Sequence, residues 1–598
     1  MAMEGESESR KRKRTSHACD SCRHRKTRCD GRQPCATCSS VGEECLYGAE
    51  AIPKSKTDLV LDVVVRSENM LREMSAHLHS LLAPTTPLDP RIASSPLAFV
   101  SPITIDSTHP PTVPHDQISN AILSQFHSSA TESILAWPQL RDLHGLRQNH
   151  RRSVFHLESQ RPEFKLQSSG TLPYLDNAEV KEILAGFEDN VNFWYPTLSQ
   201  SKRTEVELRI VSGSFDDSID SCLTLLVLAL GCASHLVDTF SETAPSNGSD
   251  RKHRWRVIGG LYFDCAFKQV HLAQAGCSTQ AVQCLFFTAL YFAFLQRPIQ
   301  AWSFISAAAI KCRLLVCYPS SVSMPEDLEC LRRIFWSCYI LESDYLAELS
   351  ALPQAGIAEI ESSIPLPGQY HTHSSLLTEE QSSLYFLACI SMRRLLNRVH
   401  DLLYAPTSGV ASDIHQFPSV VAELDHQLTK WKDLLPPAFH FAVNRDLAPS
   451  IEAGFLRQRY LACKSVIFRP YLTAAFSLAS RSKPVSDVYE GCKTCLETCY
   501  LHAHNLQGFP QTIMIDTWIC SLSMASVMLI ALATARETSL RTCLPRGITS
   551  LGPQLSQHLT QWMQIPGSGV SPSVQQSISL IEDAGGLLQS ILDPDTVL

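Results

Sequence analysis

The sequence has little charge and few glycines for its length, and it contains none of the common catalytic motifs. Charged residues make up 18% of its 598 residues and apolar residues 44%, which is too apolar for a chain that is disordered throughout. Its 25 glycines follow no repeat, which excludes a collagen-like protein. A phosphate loop, His-Glu-x-x-His, Gly-x-Ser-x-Gly and a dinucleotide glycine fingerprint are all missing. The sequence therefore predicts a folded protein that is not an enzyme.

The amino terminus also lacks the apolar stretch of a secretory signal. It reads MAMEGESESRKRKR, where a signal peptide would need a run of apolar residues. We therefore expect an intracellular protein, in which the 22 cysteines are reduced thiols or metal ligands rather than disulfides.

Positive charge is concentrated at one end of the chain. Residues 10–32 hold ten Lys and Arg against two Asp, a net charge of +8, whereas the whole chain carries −8 and the remainder therefore −16. A basic end on an acidic body indicates that one small segment binds a polyanion.

Six cysteines in this basic segment form two copies of the unit C-x2-C-x6-C. They are Cys19, Cys22, Cys29, Cys35, Cys38 and Cys45. Paired cysteines two residues apart are typical of structural zinc sites. Six sulfurs are too few for two separate tetrahedral sites, so two of them must bridge two ions. Because so short a segment has almost no apolar core, metal binding must supply its folding free energy.

This pattern resembles the binuclear zinc cluster of fungal transcription factors at every gap. The resemblance implies two Zn(II) ions as cofactors and double-stranded DNA as partner. It also implies that Cys19 and Cys35 bridge the ions. The other cysteines would complete the two sites, Cys22 and Cys29 in one and Cys38 and Cys45 in the other.

Only the first of the two units carries basic residues, namely Arg23, Arg25, Lys26 and Arg28. We therefore expect this unit to face DNA, with a short helix after Cys22 entering the major groove. The resemblance implies that Lys26 contacts a CGG triplet, assisted by Arg25. Arg23 and Arg28 are expected to hold phosphates, which fixes register without reading sequence. The alternative is a solvated basic face.

Two further basic clusters flank the cysteines. Residues Arg10, Lys11, Arg12, Lys13 and Arg14 form an unbroken run that indicates nuclear import, although a merely solubilising run is the alternative. After the cysteines, Lys54 and Lys56 lie in a short connector and could contact phosphates.

A heptad pattern follows the connector. Apolar residues recur at steps of four and three along the seam Val60, Val64, Ser67, Leu71, Met74, Leu78 and Leu81, which predicts a coiled coil over residues 58–82. The resemblance places a dimerisation helix here, so we expect a homodimer. A single helix packed on the body is the alternative.

The remaining chain divides by composition. Prolines among Ser and Thr predict a disordered linker over residues 83–170. Long apolar stretches then predict an all-helical body over residues 171–598, with helices at residues 223–236, 280–295, 302–316, 331–346, 452–468, 493–505 and 518–535. The complete plan is mainly α: a basic tail (1–16), a binuclear zinc cluster (17–48), a linker (49–57), the coiled coil, the disordered linker and the body.

Three stretches of the body resemble the helical middle region that accompanies zinc clusters in these transcription factors. They are residues 187–198, residues 331–342 with the segment 364–367, and residues 468–472. Glu342 departs from the usual Asp of that region.

Three other features of the body have two interpretations each. Cys492, Cys495, Cys499 and His502 are zinc-ligand types along one helix, but they span ~15 Å, so core packing is preferred. Residues 517–535 carry no charge, which suits either a membrane span or a central bundle helix, and we expect no membrane partner. Residues 578–598 have the composition of an acidic activation segment, or form a last helix folded on the body.

These features together predict a nuclear, zinc-dependent, sequence-specific transcription factor. It would act on RNA polymerase II promoters, most simply as an activator that reads paired CGG-like half-sites and controls a metabolic or biosynthetic gene set. Expected partners are the transcription machinery or co-regulators and a small-molecule effector. The alternatives are a zinc-containing ubiquitin-type adaptor and a helical enzyme with an accessory DNA-binding module.

Overall fold

A computed structural model describes the protein over two separate parts of the chain. The first comprises residues 19, 21–22, 25, 27, 29–30, 32, 34–42 and 45. The second comprises residues 127–593, with gaps at 151–152, 167–171, 238–247, 319–323, 350–351, 369, 371–376, 407–408, 479–485 and 508–515. The chain separates into two compact units at residues 63 and 64. The predicted import run, connector and coiled coil lie outside the described residues.

The described residues form helices and no strand. The first unit contains α1 (Ala36–Val41). The second unit contains α2 (Thr131–Leu135), α3 (His144–Asn149), α4 (Val154–Ser159), α5 (Asn177–Phe187), α6 (Gln200–Ser212), α7 (Ile219–Val237), α8 (Gly248–Ala275), α9 (Thr279–Phe294), α10 (Pro298–Cys317), α11 (Pro325–Glu348), α12 (Leu377–Val399), α13 (Phe417–Asp433), α14 (Ile451–Leu478), α15 (Ser486–Gln507), α16 (Thr517–Arg536), α17 (Ile548–Gln564) and α18 (Pro572–Leu592).

The predicted helical body is confirmed. All seven helices predicted from apolar stretches coincide with observed helices, and none extends more than one residue beyond its helix. Neighbouring long helices pack in pairs, most extensively α7 with α8, α14 with α15 and α9 with α10. Burial of most of their surface makes helices such as α7 and α16 apolar over most of their length, so their stretches are readable from sequence.

Three helices are long and apolar enough to cross a membrane by length and composition alone, namely α7, α10 and α16. The most apolar stretch of α16 is 72% buried within the protein and that of α7 is 83% buried. Burial against other helices therefore accounts for the uncharged residues 517–535, as expected for a central bundle helix.

A buried arginine joins the first two stretches that resemble the helical middle region. Arg333 of α11 donates one hydrogen bond to the carbonyl oxygen of Pro196 at 3.1 Å and another to that of Gly368 at 2.6 Å. Its charge is paired with Glu329, 3.1 Å away on the same helix. A buried guanidinium needs such partners because desolvation is costly. Arg333 thus fixes the chain after α5 against α11.

The third stretch contains a proline inside a helix, Pro470 of α14. Proline has no backbone N–H, so the carbonyl oxygen of Val466, four residues earlier, loses its helical partner. The hydroxyl of Tyr404 donates a hydrogen bond to that oxygen at 2.6 Å. The next residue back, Arg469, donates to the carbonyl oxygen of Ser129 at 2.7 Å. The stretch therefore serves to join elements that are distant in sequence.

The boundary of the body differs from the sequence prediction. Residues 127–166 were predicted to belong to the disordered linker, yet their described part contains α2, α3 and α4. Leu140 is fully buried, and Glu348 accepts a hydrogen bond from the backbone N–H of Thr131 at 3.0 Å. Helices of five or six residues are too short to produce a recognisable apolar period, because their stability comes from tertiary packing.

The carboxyl terminus also differs from an exposed activation segment. Ile581 and Leu588 of α18 are buried, Glu582 accepts a hydrogen bond from Ser556 at 2.5 Å, and Asp583 contacts His150 at 3.0 Å. Of the two interpretations of residues 578–598, the structure agrees with a helix folded on the body as far as residue 593.

Two helical glycines provide a paired test of the packing of α7 on α5. A methyl group at Gly231 would overlap the backbone carbonyl oxygen of Ile183, whereas one at Gly260 of α8 would meet nothing within 4 Å. We expect Gly231→Ala to destabilise the protein by about 1 to 3 kcal/mol through overpacking. Gly260→Ala should stabilise it by about 0.5 to 1 kcal/mol through helix propensity. Chemical unfolding midpoints that move in the same direction for both variants would contradict this packing.

Candidate metal centre and nucleic-acid interface

The second half of the cysteine cluster is built around the short helix α1. Cys35 is its N-cap residue, and its sulfur accepts a hydrogen bond from the backbone N–H of Cys38 at 3.3 Å. Gly42 ends the helix with a φ of 72°, a left-handed conformation that glycine adopts without cost. The chain then returns, so that Cys45 Sγ accepts a hydrogen bond from the N–H of Cys35 at 3.2 Å.

The first half contains a helical turn that begins at Ser21 and Cys22. The N–H of Arg25 donates to the carbonyl oxygen of Ser21 at 3.1 Å, and that of Thr27 to the carbonyl oxygen of Cys22 at 3.0 Å. Arg25 is exposed at the end of this turn. The turn agrees with the prediction of a short helix after Cys22. Arg23, Lys26, Arg28, Lys54 and Lys56 lie outside the described residues.

Asp30 connects the two halves. One oxygen of its carboxylate accepts hydrogen bonds from the N–H groups of Arg32 at 3.3 Å and Ala36 at 3.2 Å. The second bond lies at the start of α1, where a carboxylate is favoured by the helix dipole. The sequence analysis counted Asp30 only as charge. The signal available in the sequence was the position of Asp30. It stands six residues before the start of α1, with Gly31 and Pro34 in between.

The six sulfurs lie together as two groups of four that share two members. One group contains Cys19, Cys22, Cys29 and Cys35, and the other contains Cys19, Cys35, Cys38 and Cys45. Within each group all sulfurs lie within 4.8 Å of one another. These are the residues predicted from sequence, and Cys19 and Cys35 are the shared pair.

The spacing of the sulfurs fits zinc. Four ligands at a Zn–S distance of about 2.3 Å stand about 3.8 Å apart at the corners of a tetrahedron. The shared Cys19 and Cys35 sulfurs are 3.7 Å apart, Cys22 lies 3.6 Å from Cys35, and Cys38 lies 3.5 Å from Cys19. Cys29 lies 3.9 Å from Cys19. The donor set, four thiolates per ion, is the softest that zinc uses in structural sites.

Backbone amides favour the thiolate form of the two shared cysteines. The N–H of Cys38 lowers the pKa of Cys35 to about 6, and the N–H of Cys22 lowers the pKa of Cys19. In contrast, burial raises the pKa of Cys22 to about 11. Hydrogen bonds to sulfur stabilise its charged form, and a sulfur that bridges two cations must be fully deprotonated. The amides therefore stabilise the thiolate form of the two sulfurs that both groups share.

The described part of the body contains no comparable group. Among the described residues, the two cysteine groups are the sets of side chains that could hold a metal ion. Cys492, Cys495 and Cys499 are buried, and the Cys492 thiol donates a hydrogen bond to the carbonyl oxygen of Tyr471 at 3.3 Å. His502 contacts Ser523 at 2.5 Å. This agrees with their interpretation as core residues.

Two families of known domains match the chain. Residues 17–53 match the fungal Zn(2)-Cys(6) binuclear cluster domain, and residues 187–433 match the fungal specific transcription factor domain. The first match contains all six cysteines, and the second contains the first two of the stretches named above. The predicted cofactor, two zinc ions, is confirmed by the cluster domain and the geometry of its thiols.

Curated relatives of the chain are also named as transcription factors or activators. The proposed transcription factor ecdB of Aspergillus rugulosus is 25% identical over 89% of this chain and 91% of its own length. Activator of stress genes 1 of Saccharomyces cerevisiae is 22% identical over 79% of this chain and 56% of its own length. The quinic acid utilization activator of Emericella nidulans is 53% identical over 8% of this chain and 6% of its own length. The chain therefore contains a zinc-cluster DNA-binding domain and a fungal transcription factor domain, which together indicate a transcription factor rather than an enzyme.

Proposed function

We propose that the chain activates transcription from RNA polymerase II promoters by reading paired CGG-like half-sites as a homodimer in the nucleus. The observation that carries the proposal is the pair of four-sulfur groups with two shared members, because it places a rigid cluster beside the turn that bears Arg25. Two of the relatives are named as activators, which supports activation. A metabolic or biosynthetic gene set is the proposed target.

In this proposal the individual cysteines have the roles that the resemblance implied. Cys19 and Cys35 bridge the two ions, and the remaining four bind one ion each. Two Zn(II) and six thiolates together carry a charge of −2. Residues 10–45, which include all six cysteines, hold ten Lys and Arg against four Asp and Glu, so about +4 remains. The ions act only as structural centres, and the surface that meets the phosphates remains cationic.

Specific binding requires two clusters. A single cluster reads about three base pairs, and joining two through residues 58–82 raises specificity through effective concentration and half-site spacing. Lys26 contacts guanine O6 and N7, with Arg25 assisting. Arg23, Arg28, Lys54 and Lys56 contact phosphates, and Arg10, Lys11, Arg12, Lys13 and Arg14 direct nuclear import.

The role of the shared sulfurs can be tested by counting zinc. We expect native mass spectrometry of the full chain to find two zinc ions, and fewer than two in Cys35→Ser, because one substitution removes a ligand from both sites. Each structural zinc contributes on the order of 10 kcal/mol to folding of such a segment, so operator binding should also be lost. Cys277→Ser, at an exposed cysteine of the body, should keep both ions. A Cys35→Ser protein with two ions would contradict the shared role.

The base-reading role of Lys26 can be separated from phosphate contact. We expect Lys26→Ala to weaken binding to a CGG-containing duplex by about 1 to 3 kcal/mol with a much smaller loss on a scrambled duplex. Arg28→Ala should weaken both duplexes alike. Titrations at one fixed salt concentration measure both losses, and equal losses on both duplexes for Lys26→Ala would refute its assignment.

The dimer seam can be tested by introducing an aspartate at either of two positions in residues 58–82. Leu71→Asp places a charge at a core position of the predicted coiled coil, and Ala76→Asp places the same charge on its outer face. We expect sedimentation of the full chain to show a dimer that Leu71→Asp converts to monomer and Ala76→Asp does not. Binding to paired half-sites should fall with dissociation. A dimer that survives Leu71→Asp would rule out this seam.

A further inference from the structure

A cavity of about 200 Å³ lies in the body between helices α11, α12, α14, α15 and α16 and the residues that follow α5. We call it the aromatic cavity, after the rings of Trp194, Tyr195, Tyr385 and Phe455 in its wall. It is partly open to solvent. Trp194 and Tyr195 belong to the first stretch that resembles the middle region, and Ile340 and Leu341 belong to the second. The DNA-binding function accounts for neither stretch.

The rings form a preorganised apolar wall. The ring centroid of Trp194 lies 4.9 Å from that of Tyr385 and 4.8 Å from that of Phe455, both in edge-to-face contact. Such contacts hold each ring in one orientation. Tyr385 is further held by Phe439, 6.0 Å away. A wall of fixed rings suits a flat, apolar ligand, because no ordering of side chains opposes its binding.

The charges in the wall are already paired. Arg459 lies 3.6 Å from Asp344, which also pairs with Arg393 at 2.8 Å. Asp516 accepts hydrogen bonds from the hydroxyl of Tyr345 and from the N–H of Trp518, and burial raises its pKa to about 6. An ionic ligand would therefore be desolvated without a free counter-charge among these groups, which is costly.

Three neutral polar side chains of the wall are paired with one another. His502 contacts Ser523 at 2.5 Å and Gln458 at 3.0 Å. Among the described residues that line the cavity, the indole N–H of Trp194 is the buried polar group without a hydrogen-bond partner. Trp194 is only 8% exposed. A buried donor without a partner costs free energy, and an acceptor on a ligand would remove that cost.

We propose that the aromatic cavity binds a small neutral molecule that has one aromatic ring and a hydrogen-bond acceptor directed at the indole N–H of Trp194. The size agrees, because an apolar cavity of about 150 Å³ accepts benzene and about 200 Å³ leaves room for a short substituent. This is the chemical class proposed for the small-molecule effector expected from the sequence. The inference concerns the body and is independent of the proposed DNA contacts.

The experiment uses the full chain and three probes of similar size. Acetophenone has a ring and a carbonyl acceptor, ethylbenzene lacks the acceptor, and benzoate carries a charge. Calorimetric titration and the shift of the unfolding temperature both report binding. We expect acetophenone to bind most tightly, and benzoate at least roughly 10-fold more weakly because its carboxylate would be buried unpaired. CGG-duplex binding by the same preparation shows independently whether the DNA-binding unit is intact.

Two variants locate the binding. Trp194→Phe keeps a ring but removes the N–H, so acetophenone affinity should fall roughly 3- to 10-fold relative to ethylbenzene affinity. Trp302→Phe is the matched control, since its indole N–H also lacks a partner but lies outside the cavity. Ala462→Leu fills the cavity and should abolish binding of both neutral probes. Ala474→Leu, on the same helix but outside the cavity, should not.

Four outcomes would overturn the proposal. These are no binding of acetophenone to the folded wild-type chain, acetophenone affinity unchanged by Ala462→Leu, benzoate binding more tightly than acetophenone, or equal effects of Trp194→Phe and Trp302→Phe. Because the cavity-filling and ring-replacing variants act by different means, misfolding of one leaves the other as the test.

Discussion

The DNA-binding end of this protein depends on the two sulfurs that both four-sulfur groups share. Within the described part of the first unit, the buried apolar residues are four cysteines of the cluster itself. Hydrophobic burial therefore contributes little there, and metal–sulfur bonds must supply the folding free energy. Since Cys19 and Cys35 belong to both four-sulfur groups, removal of either sulfur would disturb both groups at once. Arg25 lies on the turn that begins at Ser21 and Cys22, so its position depends on the arrangement of these sulfurs.

How far the sequence predicts each part of the molecule depends on whether the information is local. The cluster is defined by gaps of two, five and six residues, and ligand chemistry leaves few other uses for them, so the site could be found without a structure. The long helices were equally accessible, because burial makes α7, α9 and α16 apolar over most of their length. Individual hydrogen bonds from backbone amides, such as that from the N–H of Cys38 to the Cys35 sulfur, were not predictable, since they depend on backbone direction.

The parts that the sequence did not predict are held by contacts between distant residues. The packing of residues 127–166 rests on bonds such as that between Thr131 and Glu348, which are 217 positions apart. The helices themselves are five or six residues long, too short to carry a period. The aromatic cavity likewise assembles side chains from positions 194 to 523. Composition could indicate that Trp194 is buried, but not that its N–H lacks a partner.

The distinction between local information and contacts of distant residues also explains why the resemblance to the family rests on two kinds of residue. In the cluster the matching residues are the six cysteines, whose spacing is set by metal coordination. In the body the recurring stretches join elements, as Arg333 does between Pro196 and Gly368 and as Arg469 does with Ser129. Buried arginines of this kind require fixed partners, and the elements that they fix form the walls of the aromatic cavity. A change of ligand would then require new residues on those walls, such as Ala462 and Cys389, while the joining residues stay the same.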